Sequence, residues 1–175
     1  MRICLFGGPG SGKSTTAMKL AADLKQFNYD VEYVSEFIKS WAFEKKVPKG
    51  FDQVYVFGKQ MNAEDKLIQC GVKHLITDSP ILLQIAYMVR AESVFTEELK
   101  AIALKFEDYA PSVNILLDRT GLDYKDKGRY EDLDQAIKMD NLIEDMLVDC
   151  KIRYEKIKST LYSDIIKFVL SKVSA

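Results

Sequence analysis

The segment Gly7-Gly8-Pro9-Gly10-Ser11-Gly12-Lys13-Ser14 constrains this chain more than any other. It matches the spacing G-x-x-x-x-G-K-S in full at Gly7, Gly12, Lys13 and Ser14. Before it stands the apolar run Ile3-Cys4-Leu5-Phe6. After it Ala17, Leu20, Ala21, Leu24 and Phe27 recur at helical spacing. The sequence therefore predicts a buried strand, a glycine-rich turn and a helix in succession. Glycines let the backbone curl so that successive N–H groups converge on phosphate oxygens, and the helix start adds partial positive charge. A turn that only joined strand to helix would not need Lys-Ser at this offset. The motif predicts a site for the triphosphate of ATP with magnesium, enclosed by Gly7, Gly8, Pro9, Gly10, Ser11, Gly12, Lys13, Ser14 and Thr15. Lys13 should reach the β- and γ-phosphates, and the Ser14 hydroxyl should bind Mg2+.

The rest of the chain alternates strand and helix patterns. Val31-Glu32-Tyr33-Val34 reads as a second strand, Val72 to Thr77 as a third, Val113 to Leu117 as a fourth and Ile152 to Ile157 as a fifth. Helical patterns run from Phe37 to Lys45 and from Asp52 to Ile68, separated by Pro48 and Gly50. Further helices should begin at Pro80, placed in a first turn, and at Thr96, placed as a cap before two acids. A long helix should present Leu133, Ala136, Ile137, Ile143, Met146, Leu147 and Cys150, and a last one should follow Thr160. This alternation predicts an α/β fold with a parallel sheet between two layers of helices. The chain, 1–175, reads as a single domain with neither repeat nor linker.

Composition narrows the partners. A formal net charge of −1 gives no global attraction to nucleic acid, so such a partner would need a local basic patch. Lys39, Lys45, Lys46 and Lys49 could form one, or simply a solvated helix face and loop. Cys4, Cys70 and Cys150 are widely spaced and odd in number, as expected of free thiols in a reducing compartment. His74 has no Cys or His neighbour at zinc-ligand spacing. The run from Ile3 to Phe6 is too short for a signal peptide, and the longest apolar stretch, Ile81 to Val89, is far short of a membrane span. A cytoplasmic location without membrane attachment is expected, the host cytoplasm for a phage-encoded chain. The oligomeric state is open, and a homodimer is compatible with the sequence.

A second magnesium group is expected at a strand end. Asp78 after Leu75-Ile76-Thr77 and Asp118 after Ile115-Leu116-Leu117 both fit, and spacing does not choose between them. Glu36 stands just past the second strand, where a carboxylate lies in the crevice that binds ligands in such sheets, or stabilises the next helix.

The phosphate loop, Glu36, Thr77-Asp78-Ser79-Pro80 and Asp126-Lys127-Gly128-Arg129, in that order, resemble the small P-loop kinases of nucleosides and nucleotides. The likeness is closest to ribosylnicotinamide kinase domains of NAD-metabolism proteins and to thymidylate kinase-like phage enzymes that phosphorylate 5-hydroxymethyluracil in DNA. It implies a five-stranded parallel sheet in the order 2-3-1-4-5 and ATP-dependent phosphoryl transfer. It favours Asp78 over Asp118 for magnesium and makes Glu36 the candidate base. It also implies a lid over 118–130, whose arginine is Arg129, with Arg119, Lys125 and Lys127 as competitors. Phe37, Trp41, Phe51, Tyr55, Phe57 and Gln60 fall where such kinases form the acceptor pocket, and Gln60 resembles a base-reading glutamine; the aromatics also fit a core.

Two functions follow as expectations. One is a kinase transferring the γ-phosphoryl group to a hydroxyl of a nucleoside- or nucleotide-like acceptor, a modified DNA base included, which must then be extruded or single-stranded. The alternative is a P-loop ATPase or nucleotide-dependent switch acting with a protein partner. A chain of 175 residues leaves little room for the helical lid domain and sensors of a ring motor.

Overall fold

The computed structural model describes residues 1–44, 46, 48, 51–125 and 131–173. Its elements are β1 (Arg2–Phe6), α1 (Lys13–Gln26), β2 (Val31–Val34), α2 (Lys39–Phe43), α3 (Asp52–Gln69) and β3 (His74–Thr77). They continue with α4 (Ile81–Arg90), α5 (Thr96–Tyr109), β4 (Ser112–Asp118), α6 (Leu133–Asp149), β5 (Glu155–Lys158) and α7 (Tyr162–Val173). The strands form one five-stranded sheet in the order β2-β3-β1-β4-β5, with every pairing parallel. This is the expected P-loop order.

β1 is central and wholly buried, so its successive side chains feed opposite faces. Ile3 and Leu5 pack with Leu20, Leu24, Ile115, Leu117, Ile165 and Val169, beneath α1 and α7. Cys4 and Phe6 pack with Phe57, Leu83, Phe106, Leu116, Met139 and Ile143, beneath α3 to α6. At the amino end of β1, Arg2 is only 2% exposed. Its Nε donates to Glu64 at 2.8 Å and its Nη1 to Glu107 at 3.0 Å and to the Ala110 carbonyl at 2.7 Å. This buried network ties α3 and the end of α5 to the strand. Burial pushes the Glu64 carboxyl up, while Arg2 opposes the rise.

Several boundaries differ from expectation. β3 starts at His74 rather than Val72, because Gly71 ends α3 with φ +82° and the Val72 amide still donates to Leu67. β5 starts at Glu155, since Ile152 and Tyr154 pack instead against the core under α6. The helix expected over 37–45 is confined to Lys39–Phe43. Pro80 is the extended N-cap of α4 rather than a first-turn residue. Phe95 is the N-cap of α5, and the Thr96 hydroxyl donates to the Ser93 carbonyl instead of capping. On α6, Leu133 and Ile137 are exposed, and Met139 joins Ala136, Ile143, Met146 and Leu147 on the buried face. Phe27 is likewise exposed, just past α1. The thiols Cys4, Cys70 and Cys150 are free. Among the described residues no helix is long and apolar enough to cross a membrane.

Candidate active site

The carboxyl ends of the strands meet around the loop between β1 and α1. Gly7, Gly10 and Gly12 adopt φ of +146°, +77° and +91°, which side-chain-bearing residues rarely do. Packing adds to the demand. A Cβ on Gly7 would lie 2.5 Å from Ser11 Oγ, and one on Gly8 would lie 2.7 Å from both the Ala136 carbonyl and Asp140. The loop is fastened from three elements. The Gly8 amide donates to Asp140 Oδ1 on α6 at 2.6 Å. Arg119, just after β4, pairs with Asp140 through Nε and donates through Nη1 to the Pro9 carbonyl at 3.0 Å. Ser159, just after β5, donates through Oγ to the Ser11 carbonyl at 2.5 Å. Lys13 Nζ donates to the carbonyls of Gly7, at 2.7 Å, and Gly8, at 3.2 Å, which holds its ammonium over the loop.

A cavity of about 440 Å³ opens beside the loop. Gly10, Gly12, Lys13, Ser14 and Thr15 line it together with Glu36, Lys39, Gln84, Tyr87, Arg90 and Glu131. Burial pushes the Glu36 carboxyl up from its ordinary 4.5; the ammonium groups of Lys13 and Lys39 pull it down, and Asp78 and Glu131 add to the rise. Arg90 Nη1 donates to Glu131 at 2.7 Å, and Tyr124 donates its hydroxyl to the Glu131 carbonyl. Burial also raises the Tyr87 hydroxyl well above its usual range.

The two candidate metal carboxylates differ in surroundings. Asp78 is 1% exposed; its Oδ2 accepts from the Tyr33 hydroxyl at 3.2 Å, and its Oδ1 has no hydrogen-bond partner. Asp118 Oδ1 instead accepts the Thr120 hydroxyl at 2.6 Å and the Thr120 amide at 2.9 Å. Those bonds hold its carboxyl below the usual range. Among the described residues no group of three or more His, Cys, Asp or Glu could enclose a metal ion. Magnesium held by phosphates needs no such cage, only one or two protein oxygens. The Ser14 hydroxyl and the unpartnered Asp78 Oδ1 fit that requirement.

Other predicted site residues lie away from the cavity or outside the described residues. Gln60 is fully buried, and its Oε1 accepts from the Phe37 amide at 3.2 Å. The Phe37 ring meets Tyr55 edge-on at 5.6 Å and Trp41 at 6.3 Å. Phe57 is in the core, and Phe51 is 75% exposed. Lys45, Lys49, Gly50 and the segment Asp126-Lys127-Gly128-Arg129 lie outside the described residues. Sequence reasoning missed Gln84, Tyr87, Arg90, Glu131, Asp140 and Ser159. Of these, only Gln84, a polar interruption in the apolar run from Ile81 to Val89, left any signal.

Residues 2–164 match the family model described as an AAA domain. The chain belongs to that family. No curated protein matches it. Among solved structures, this AAA domain is similar to deoxyadenosine kinase from M. mycoides, solved with the products dCMP and a flexible dCDP bound. The likeness has a TM-score of 0.58 at 15% identity and covers 99% of each chain. At that identity it is a likeness of fold.

Proposed function

We propose that this AAA domain is an ATP-dependent kinase that transfers the γ-phosphoryl group to a hydroxyl of a nucleoside-like acceptor. The observation that carries this reading is that Glu36 lines the same cavity as Lys13 and Ser14. A carboxylate with a raised proton affinity and a phosphate cradle thus face one chamber, large enough for an organic acceptor. A carboxylate can activate a water as well as an acceptor hydroxyl, so the room beside Glu36 for an organic acceptor is what favours transfer over hydrolysis. The fold likeness to a nucleoside kinase supports the same reading.

The loop amides and Lys13 bind and orient the phosphates, and Lys13 stabilises charge on the transferred group. Ser14 and Asp78 would hold magnesium, which would neutralise charge on the phosphate oxygens. Glu36 accepts the proton of the acceptor hydroxyl as that oxygen bonds to the γ-phosphorus and ADP leaves. Arg129 is the lid arginine proposed to meet the developing charge, while Phe37 and Gln60 support the acceptor-side segment.

The test is transfer of label from [γ-³²P]ATP, with mass spectrometry of products from a panel of nucleosides, nucleotides and DNA carrying modified bases. Label on an acceptor hydroxyl is expected. Label released only as inorganic phosphate across the panel would mark an ATPase or switch.

A further inference from the structure

Lys39 is an exposed residue on a short helix, and its sequence setting among other lysines offers only a basic patch or a solvated face. Its side chain does otherwise. Lys39 Nζ donates to Ser14 Oγ at 3.0 Å, joining α2 to the first turn of α1 across 25 positions of sequence. It lines the cavity with Lys13, Ser14 and Glu36. Lys46, from the same stretch, places its ammonium 3.5 Å from the Trp41 ring centroid instead.

The Ser14 hydroxyl oxygen is the atom that the proposed function gives to magnesium, and the inference rests on that reading. An ammonium 3.0 Å from this oxygen and a divalent cation bonded to it would be close like charges. Magnesium at about 2.0–2.1 Å would also draw electron density from that oxygen, which makes it a poor acceptor for an ammonium. We propose that Lys39 and the divalent cation are mutually exclusive occupants of the Ser14 hydroxyl, so that loading of metal–nucleotide expels Lys39 and releases α2 from the phosphate loop. Lys39 is then a positioning residue that couples the acceptor-side helix to the metal state of the nucleotide. An ammonium can partly neutralise the phosphates when metal is scarce, so the exchange also lowers the advantage that metal gives to nucleotide binding.

The experiment is equilibrium binding of fluorescent mant-ADP, in EDTA and in saturating Mg2+, to the full chain and its variants. The readout is the ratio of the two Kd values. In Lys39→Met the metal advantage should rise roughly tenfold over wild type, a size typical of coupling between two sites. Lys39→Arg, which keeps the charge, should stay near wild type. In a Ser14→Ala background the Lys39→Met change should have no further effect, because the contested oxygen is gone. A metal advantage unchanged or reduced in Lys39→Met, with thermal unfolding confirming a folded variant, overturns the exchange. Failure of wild type to bind mant-ADP in either condition would instead overturn the phosphate-loop reading beneath it.

Discussion

Asp140 accepts the amide hydrogen of Gly8 at 2.6 Å with one carboxylate oxygen and pairs with Arg119 through the other. A single side chain of α6 thus holds the entrance of the phosphate loop and the arginine that grips Pro9. Asp140→Ala leaves the Gly8 donor and a partly buried guanidinium without their acceptor. The expected cost is about 1–3 kcal/mol of stability, with weaker ATP binding. Asp140→Asn keeps an acceptor for Gly8 and should fall between. Thermal unfolding with and without ATP checks both; equal ATP-induced shifts in all three proteins would remove Asp140 from loop positioning.

Lys13→Ala should leave the fold intact, since among the described residues the side chain hydrogen-bonds to loop carbonyls alone. Transfer should drop by roughly 10²–10³-fold, the usual size for one donor to a transition-state charge. Single-turnover kinetics beside a circular dichroism spectrum measure this, and full activity in a folded variant would end the phosphate-loop assignment.

Glu36 carries a signed pH prediction. Its folded pKa is raised by burial, so ionising it costs the fold stability above the unfolded value of 4.5, and the cost is relieved as pH falls through the folded pKa. Glu36→Gln should therefore melt higher than wild type near neutral pH, with the difference closing toward pH 4.5. As a base, Glu36 should give kcat/KM an acid limb above 4.5. The variant should lose that limb and about 10²-fold in rate. A variant with unchanged turnover and an unchanged profile would place the acceptor's activating group elsewhere.

Asp78→Asn should raise the half-saturating Mg2+ concentration at least about tenfold. Asp118→Asn should change it little, because both Asp118 contacts run to its own turn at Thr120. A magnesium titration with the reverse ranking would move the metal ligand to β4.

The Arg2–Glu64 pair predicts a stability effect far from the chemistry. Glu64→Leu leaves the buried Arg2 Nε without its carboxylate while Nη1 keeps Glu107 and the Ala110 carbonyl, a loss of about 3 kcal/mol, with activity per folded molecule unchanged. Adding Arg2→Met should recover most of it, which denaturant unfolding of the single and double variants measures.

What was legible in the sequence was local. The succession of apolar run, glycine turn and helix needs only neighbouring residues, so β1, the loop and α1 were found together. Alternation of strand and helix predicts a parallel sheet, while the order 2-3-1-4-5 came only from the resemblance to small P-loop kinases. The fastening of the loop was not legible, because Gly8 and Asp140 are 132 positions apart and no motif surrounds Asp140. Arg90 and Glu131 meet in the same unannounced way, 41 positions apart. On α6 the apolar residues exceed the stripe that one face can bury, so the pattern placed Leu133 and Ile137 on the buried face and left Met139 off it. Gln60 and Phe37 carried the right residue types, but burial turned the glutamine onto the Phe37 backbone.

The sheet is also a partition. Ile3 and Cys4 are adjacent in the chain, yet they belong to separate interiors that share no side chain. Volume changes at Leu20 and Met139 should consequently add in free energy, with little coupling between them. Apart from the phosphate loop and α1, the cavity is lined by Glu36, Gln53, Glu131 and residues of α2 and α4, none of which belongs to the interior under α1 and α7. Substitutions on that side of the cavity should therefore leave the packing of the helix behind the phosphate loop undisturbed.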